Sequence, residues 1–208
     1  MSIDFDLQSL KRLHRDSEKQ LLEFNDIIPY EHNPNNLYSP ILVNLLLQVG
    51  PQVENVTDLL VRDLDLKPDG NGVPSRIREI NKSGVLSGFR TYFLAHDTQF
   101  TPFTQELEWW DIYNKTKHDL AKSQFEITYG SVMNSMAALA SLHRLADAAT
   151  HCNKEVKMHV SNKEYWNEPT FVVNREWIRQ DLQNRSYGYS WRSLAFKITT
   201  YFIYASDA

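Results

Sequence analysis

The chain has 208 residues, of which 42% are hydrophobic and 23% are charged, and its net charge at pH 7 is −4. These values are typical of one globular domain and exclude a disordered, collagen-like or disulfide-stapled chain. The slight acidic excess also differs from the basic stripe of proteins that hold nucleic acid through many phosphate contacts.

The first predicted helix follows from apolar residues at helical spacing, namely Leu7, Leu10, Leu13, Leu21, Phe24 and Ile28. A second, apolar helix is predicted to begin at Ser39-Pro40, because serine is a good N-cap and proline suits the first helical turn. This helix should run to about residue 65 and form the centre of the core. Gly50-Pro51 should break or kink it near the middle.

Residues 67–75 are rich in glycine and proline and predict a loop. Residues 84–96 fit either a short strand or a helix, whereas the acidic start of 104–122 favours a helix. The clearest helix is predicted over 128–151, where one face is formed by Val132, Met136, Leu139, Leu142, Ala146 and Ala149. Its many alanines leave room for a close neighbouring helix.

The pattern changes after residue 151. Alternating apolar residues within 156–173 predict a small hairpin, 176–182 fits a short helix, and the aromatic tail 191–204 fits a strand or a helix. We therefore predict a mainly α protein, with a helical bundle of four or five helices over 1–151. A small α+β appendage over 152–208 packs on the same core or belongs to one single domain. A homodimer is also expected, because helical bundles often pair through an apolar helix.

Export and membrane insertion are not expected from this sequence. Its first residues are polar and acidic, and its longest apolar run, 41–49, is too short to span a bilayer. The single cysteine, Cys152, cannot form an intrachain disulfide or a cysteine-based zinc site. We expect a cytoplasmic protein without a membrane partner.

The most suggestive motif lies within 109–119, Trp-Trp-Asp-Ile-Tyr-Asn-Lys-Thr-Lys-His-Asp. On a helix, Trp110, Asn114 and His118 form one column at spacings of four residues. Asn114 could then fix the His118 ring, and Lys117 beside them could hold an anion. The alternative interpretation is that the tryptophans reach the core while Asn114 and His118 form an internal polar bridge.

This block resembles the motif helix of the HEPN superfamily, small helical-bundle proteins common in bacterial defence and toxin–antitoxin systems. Its ribonuclease members carry an arginine, often an asparagine directly after it, and a histidine a few residues later. Asn114 and His118 match that pattern, but Tyr113 occupies the arginine position. The resemblance implies that arginine would stabilise phosphate charge and that histidine would act in general acid/base cleavage of RNA.

Three functions follow from this motif. The first is a HEPN-like protein that binds RNA or a protein partner in bacterial stress or defence. The second is a metal-independent endoribonuclease that uses His118, with Asn114, Tyr113 and Lys117 as helpers. The third is a structural interaction module without an active site. We rank binding above catalysis because a tyrosine supplies no fixed positive charge.

Two weaker candidates lie elsewhere. Arg144 and His151 have a spacing within the loose family pattern, and His143, Asp147 and His151 share a helical column that could hold a metal. The alternative is the polar edge of an amphipathic helix. Exposed aromatic residues within 187–191 could stack on bases, although such residues more often belong to a core or subunit interface. The chain contains no phosphate-binding glycine loop, nucleophile elbow or His-Glu-x-x-His motif, so we predict no cofactor and no metal.

Overall fold

The computed structural model describes residues 3–32, 37–96, 98–103, 106–151 and 194–200. Its α-helices are α1 (Ile3–Ile27), α2 (Pro40–Asp63), α3 (Val73–Ile80), α4 (Glu108–His118), α5 (Leu120–Ser123) and α6 (Tyr129–His151). Its strands are β1 (Phe89–Phe93), β2 (Thr98–Phe100) and β3 (Phe196–Thr200). The mainly α fold with a small β part is confirmed.

Helices α2 and α6 form the centre of the bundle. Between Tyr129 and Ala146 every residue of α6 is buried except Asn134 and Arg144, which are half-buried. The whole predicted apolar face of this helix is therefore in the core, together with its other faces. A helix that is buried all round packs against neighbours on every side, and α6 contacts α1, α2, α4 and the sheet.

The predicted break in α2 is wrong, because this helix is continuous from Pro40 to Asp63 with Pro51 inside it. The kink that was predicted as the alternative stays a prediction. Its predicted start is confirmed, since the Ser39 hydroxyl accepts a hydrogen bond from the backbone N–H of Ile41 at 3.2 Å. A proline inside a helix costs about 3 kcal/mol in isolation. Tertiary burial offsets that cost here, because apolar side chains on both sides of Pro51 are enclosed in the core.

The three strands form one antiparallel sheet in the order β2-β1-β3. Thr91 of the central strand lies opposite Phe100 of β2 and Ile198 of β3. The sheet is joined to α6 by a buried hydrogen bond of 2.8 Å between the hydroxyls of Thr91 and Ser141. The tail therefore contains a strand within 191–204, and residues 84–96 contain a strand rather than a helix.

The C-terminal region contributes to the same core as the bundle. Ala195 and Phe196 are buried in the main apolar cluster, and β3 pairs with β1. The predicted hairpin within 156–173, the short helix 176–182 and the aromatic group 187–191 lie outside the described residues. The domain boundary after residue 151 stays a prediction.

Three further expectations need correction. The loop predicted over 67–75 gives way to α3 at Val73, where Pro74 occupies the first turn. The single helix predicted over 104–122 is two helices separated at Asp119, whose backbone is not helical and whose carboxylate accepts from Lys122 N. Leu13 is 52% exposed although its spacing suggested the core face.

Among the described residues, no helix has the length and apolarity needed to cross a membrane.

Candidate functional site

Helix α4 carries the predicted site residues and separates them into two groups. Trp110 and Tyr113 face the core and are 3% and 1% exposed, whereas Asn114, Lys117 and His118 are exposed. The helical column that was predicted from spacing therefore exists, but only its C-terminal part reaches the surface. The two groups have different roles.

Tyr113 is a core residue that fixes α4 against α2. Its ring packs on Trp110 with centroids 4.9 Å apart, and it occupies the space that a side chain at Gly50 would fill. Its hydroxyl donates to Glu54 Oε1 at 3.4 Å. Burial, followed by the nearby Glu54 carboxylate, raises the pKa of Tyr113, so its phenol stays neutral and cannot replace a catalytic arginine.

Lys117 is engaged by the same carboxylate. Its Nζ lies 2.9 Å from Glu54 Oε1 and 5.6 Å from the centre of the Tyr113 ring. The hydrogen bond to Glu54 raises the pKa of Lys117, so the amine stays charged. Sequence reasoning missed Glu54, which lies 63 residues from Lys117, because no local pattern links the two positions.

Asn114 and His118 occupy neighbouring turns of α4 at its C-terminal end. Within the described chain no hydrogen bond joins the Asn114 amide to the His118 ring. Both side chains are exposed, so neither forms the internal polar bridge that was the alternative interpretation. The imidazole of His118 is therefore accessible to a ligand.

An exposed aromatic pair lies close to this end of α4. Phe125 is 68% exposed, Tyr38 is 41% exposed, and their ring centroids are 5.0 Å apart. The Tyr38 hydroxyl donates to Gln124 Oε1 at 3.0 Å, which holds the two rings together. Because the two exposed rings are in contact, they form a contiguous apolar patch, and such patches can mark binding sites.

The aromatic pair and the end of α4 form one surface, because Lys115 Nζ lies 3.5 Å from Glu126 Oε2. Glu126 directly follows Phe125 in the 3₁₀ turn after α5. We name this surface the α4 surface and define it by Tyr38, Asn114, Lys115, His118 and Phe125. Of these residues, sequence analysis singled out Asn114 and His118 but not Lys115 or either ring.

A second group of polar residues is buried on α1. They continue the core face of Leu7, Leu10, Leu21 and Phe24 and are Lys11, His14, Ser17, Glu18 and Asn25. Polar residues at core positions of an amphipathic helix are the signal that sequence analysis overlooked. His14 Nε2 lies 3.3 Å from Glu18 Oε1.

This buried group connects α1 to α6 and to the start of β3. The rings of His14 and His143 have centroids 5.0 Å apart, so two histidines that are distant in the sequence lie side by side. The Glu18 carboxylate accepts from the backbone N–H groups of Leu194 at 3.0 Å and Ala195 at 3.4 Å. These hydrogen bonds hold the chain at the entry to β3.

Burial, with the neighbouring charges of His14 and Lys11, lowers the pKa of His143 well below its ordinary value. His143 is thus neutral at pH 7 and belongs to the core. Within the described residues no group of three or more potential ligands could hold a metal ion. The side chains of Asp147 and His151, which completed the predicted metal column, lie outside that description.

Comparison of the chain with protein-family models, with curated proteins and with solved structures finds no match. The resemblance to HEPN proteins stays a prediction that depends on residues 113–118. A proposal for the function of this chain therefore rests on the geometry of the α4 surface.

Proposed function

We propose that the α4 surface binds single-stranded RNA, chiefly by stacking of bases on its rings. The observation that carries the proposal is the exposed Tyr38–Phe125 ring pair. The ion pair between Lys115 and Glu126 links it to α4, which also carries the exposed His118 imidazole. Unpaired bases stack on phenylalanine, tyrosine and histidine in many RNA-binding proteins. An exposed amide such as Asn114 adds hydrogen bonds to base edges.

The charges around this surface support stacking over phosphate binding. Lys115 pairs with Glu126, Lys117 with Glu54, and a third lysine, Lys122, with Asp119 at 3.2 Å. These solvent-exposed pairs are individually weak, but together they leave little net positive charge. We therefore expect modest affinity, with about 1–3 kcal/mol from each stacked base.

Fluorescence anisotropy with a labelled oligouridine tests the proposal. The Phe125→Ala chain should bind at least about fivefold more weakly than the unaltered chain, since one stacked base is worth about 1–3 kcal/mol. His118→Ala should also weaken binding. Ile27→Ala is the matched control, because Ile27 is a similarly exposed apolar side chain (77%) outside the α4 surface.

The dependence of binding on salt gives a second, independent readout. With two or fewer phosphates neutralised, log K against log salt should have a slope no steeper than about −1.4, from roughly −0.7 for each contact. A steep slope, or equal binding by the Phe125→Ala and unaltered chains, would contradict the proposal. If the chain binds no RNA and Phe125→Ala converts a dimer into a monomer, the surface is a protein interface instead.

A catalytic role for His118 is the second candidate, and the accessibility of its imidazole favours it. The remaining groups do not assist, because Tyr113 is buried and Lys117 is bound to Glu54. Degradation of labelled RNA by the unaltered chain and by His118→Ala separates binding from cleavage. If neither chain degrades any of a varied set of RNAs, the ribonuclease activity is excluded.

A further inference from the structure

The loop between α2 and α3 contains the dipeptide Asn71-Gly72 at an exposed position. The side-chain amide of an asparagine lies close to the backbone nitrogen of the next residue, so the two can react to form a cyclic succinimide. A following glycine hinders this reaction least, because it has no Cβ. Neither the predicted motif nor the proposed RNA binding uses these two residues.

Both reacting groups of this dipeptide are available. Within the described part of the chain, neither the side-chain amide of Asn71 nor the backbone N–H of Gly72 takes part in a hydrogen bond. Both residues are exposed, so water and hydroxide reach them. A backbone N–H inside a helix or strand would first have to leave its hydrogen bond, and that cost is absent here.

The fold itself does not require a glycine at position 72. Its backbone has φ −80° and ψ 158°, an extended conformation that any residue adopts. A Cβ at this position would make only an ordinary contact, with Pro74 Cδ at 3.6 Å. Gly72→Ala therefore changes the reactivity of the dipeptide while the fold is retained.

The guanidinium of Arg76 lies against the peptide bond that would react. Its Nη2 donates to the backbone carbonyl of Asn71 at 2.7 Å, and its Nη1 donates to the backbone carbonyl of Glu54 at 2.9 Å. The second contact fixes the guanidinium on α2. A positively charged donor on the Asn71 carbonyl oxygen stabilises the negative charge that this oxygen gains when the Gly72 nitrogen loses its proton.

We propose that Asn71 is a site of spontaneous deamidation, which Gly72 permits and Arg76 accelerates. The Gly72 nitrogen gives its proton to hydroxide and attacks the side-chain carbonyl carbon of Asn71. A bond forms between this nitrogen and this carbon, the bond from the carbon to Nδ2 breaks, and Nδ2 takes a proton from water and leaves as ammonia. Water then opens the succinimide at either carbonyl and leaves aspartate or isoaspartate.

The modification changes the charge and the backbone directly before α3. Both products add a carboxylate to the loop. In isoaspartate the carbonyl that Arg76 contacts becomes that carboxylate, and the backbone is lengthened by a methylene group. The first hydrogen bond of α3, from the N–H of Arg76 to the Gly72 carbonyl at 3.1 Å, follows at once. The inference is independent of RNA binding.

Peptide mapping by mass spectrometry, after incubation of the full chain at mildly alkaline pH, tests the proposal. The tryptic peptide 63–76 contains Asn71 as its only asparagine, and chromatography separates its aspartyl and isoaspartyl forms. Asn71 should deamidate roughly fivefold or more faster than exposed Asn114, and Gly72→Ala should slow it by a similar factor. Equal rates at Asn71 and Asn114, or an unchanged rate in Gly72→Ala, would overturn the proposal.

A second pair of variants tests the role of Arg76. Arg76→Gln should slow deamidation about tenfold, because it removes a charge-assisted hydrogen bond from the reacting peptide bond. Arg78→Gln is the matched control, since it removes the same charge from a side chain that binds Asp69 instead. In concentrated urea, where the contact is absent, the Arg76→Gln and unaltered chains should react equally fast.

Equal or faster deamidation of the folded Arg76→Gln chain would contradict the proposal. Circular dichroism establishes that this variant is folded. If it is not, Arg76→Lys, which keeps a positive donor, replaces it and should react at a rate between those of the unaltered chain and of Gly72→Ala.

Discussion

The contact between α2 and α4 gives a prediction about Gly50, which lies in the interior of α2. A Cβ at this position would lie closer than 3.0 Å to the Tyr113 ring, a distance that real Cβ atoms essentially never show. The ring is 1% exposed and is packed on Trp110, so it has no free space into which it can move. Gly50→Ala should therefore force α2 and α4 apart.

The magnitude follows from two opposing terms. Alanine is about 1 kcal/mol better than glycine in a helix interior, whereas overpacking a core costs typically 1–3 kcal/mol. The overlap with Tyr113 involves several ring atoms, which indicates the upper end of that range. We expect Gly50→Ala to lower the free energy of unfolding by about 2 kcal/mol.

A double-mutant cycle measured by urea unfolding and circular dichroism tests this reasoning. In a Tyr113→Ala background the ring is absent, so Gly50→Ala should now stabilise the chain by about 1 kcal/mol. Such a change of sign in the effect of Gly50→Ala on the free energy of unfolding is expected only if the alanine contacts the Tyr113 ring. Asn44→Ala, at an exposed position of α2, serves as control and should stay within about 0.5 kcal/mol. A neutral or stabilising effect of Gly50→Ala in the unaltered chain would refute the argument.

Two further predictions concern the buried polar group of α1 and α6. Glu18→Ala should lower the free energy of unfolding by about 3–5 kcal/mol and speed hydrogen exchange at the amides preceding β3, because it removes their buried acceptor. Exposed Glu23→Ala should change stability by less than about 0.5 kcal/mol. Because the pKa of His143 is lowered, the unfolded chain binds a proton below about pH 6.5 that the folded chain does not bind. The free energy of unfolding should therefore fall by about 1.4 kcal/mol per pH unit as the pH drops below about 6.5. The His143→Leu chain should lose this component in pH-dependent urea unfolding, whereas His32→Leu, at an exposed position, should keep it.

The proposed RNA-binding surface depends on contacts between distant parts of the chain. Tyr38 and Phe125 are 87 residues apart in the sequence, and the hydrogen bond beside them spans 86 residues. This ring pair has no local sequence pattern, which explains why composition and spacing indicated only residues on α4.

The amino-acid sequence by itself determined the mainly α fold, the start of α2 and the position of α6. These features depend on hydrophobic periodicity and on caps, which act between residues a few positions apart. It also determined that Asn114 and His118 share a helix face. Local propensity failed at Pro51, where a helix breaker is tolerated because the turns on both sides of it are enclosed in the core.

Only the tertiary structure decided which polar residues are buried and which motif residues remain accessible. Tyr113 lies beneath the surface because Gly50 leaves space for its ring, and Lys117 is held because Glu54 approaches from another helix. Such outcomes depend on the packing of helices that are distant in sequence. Burial and pairing set the chemistry of a side chain, so its role follows from the assembled fold more than from its spacing along the chain.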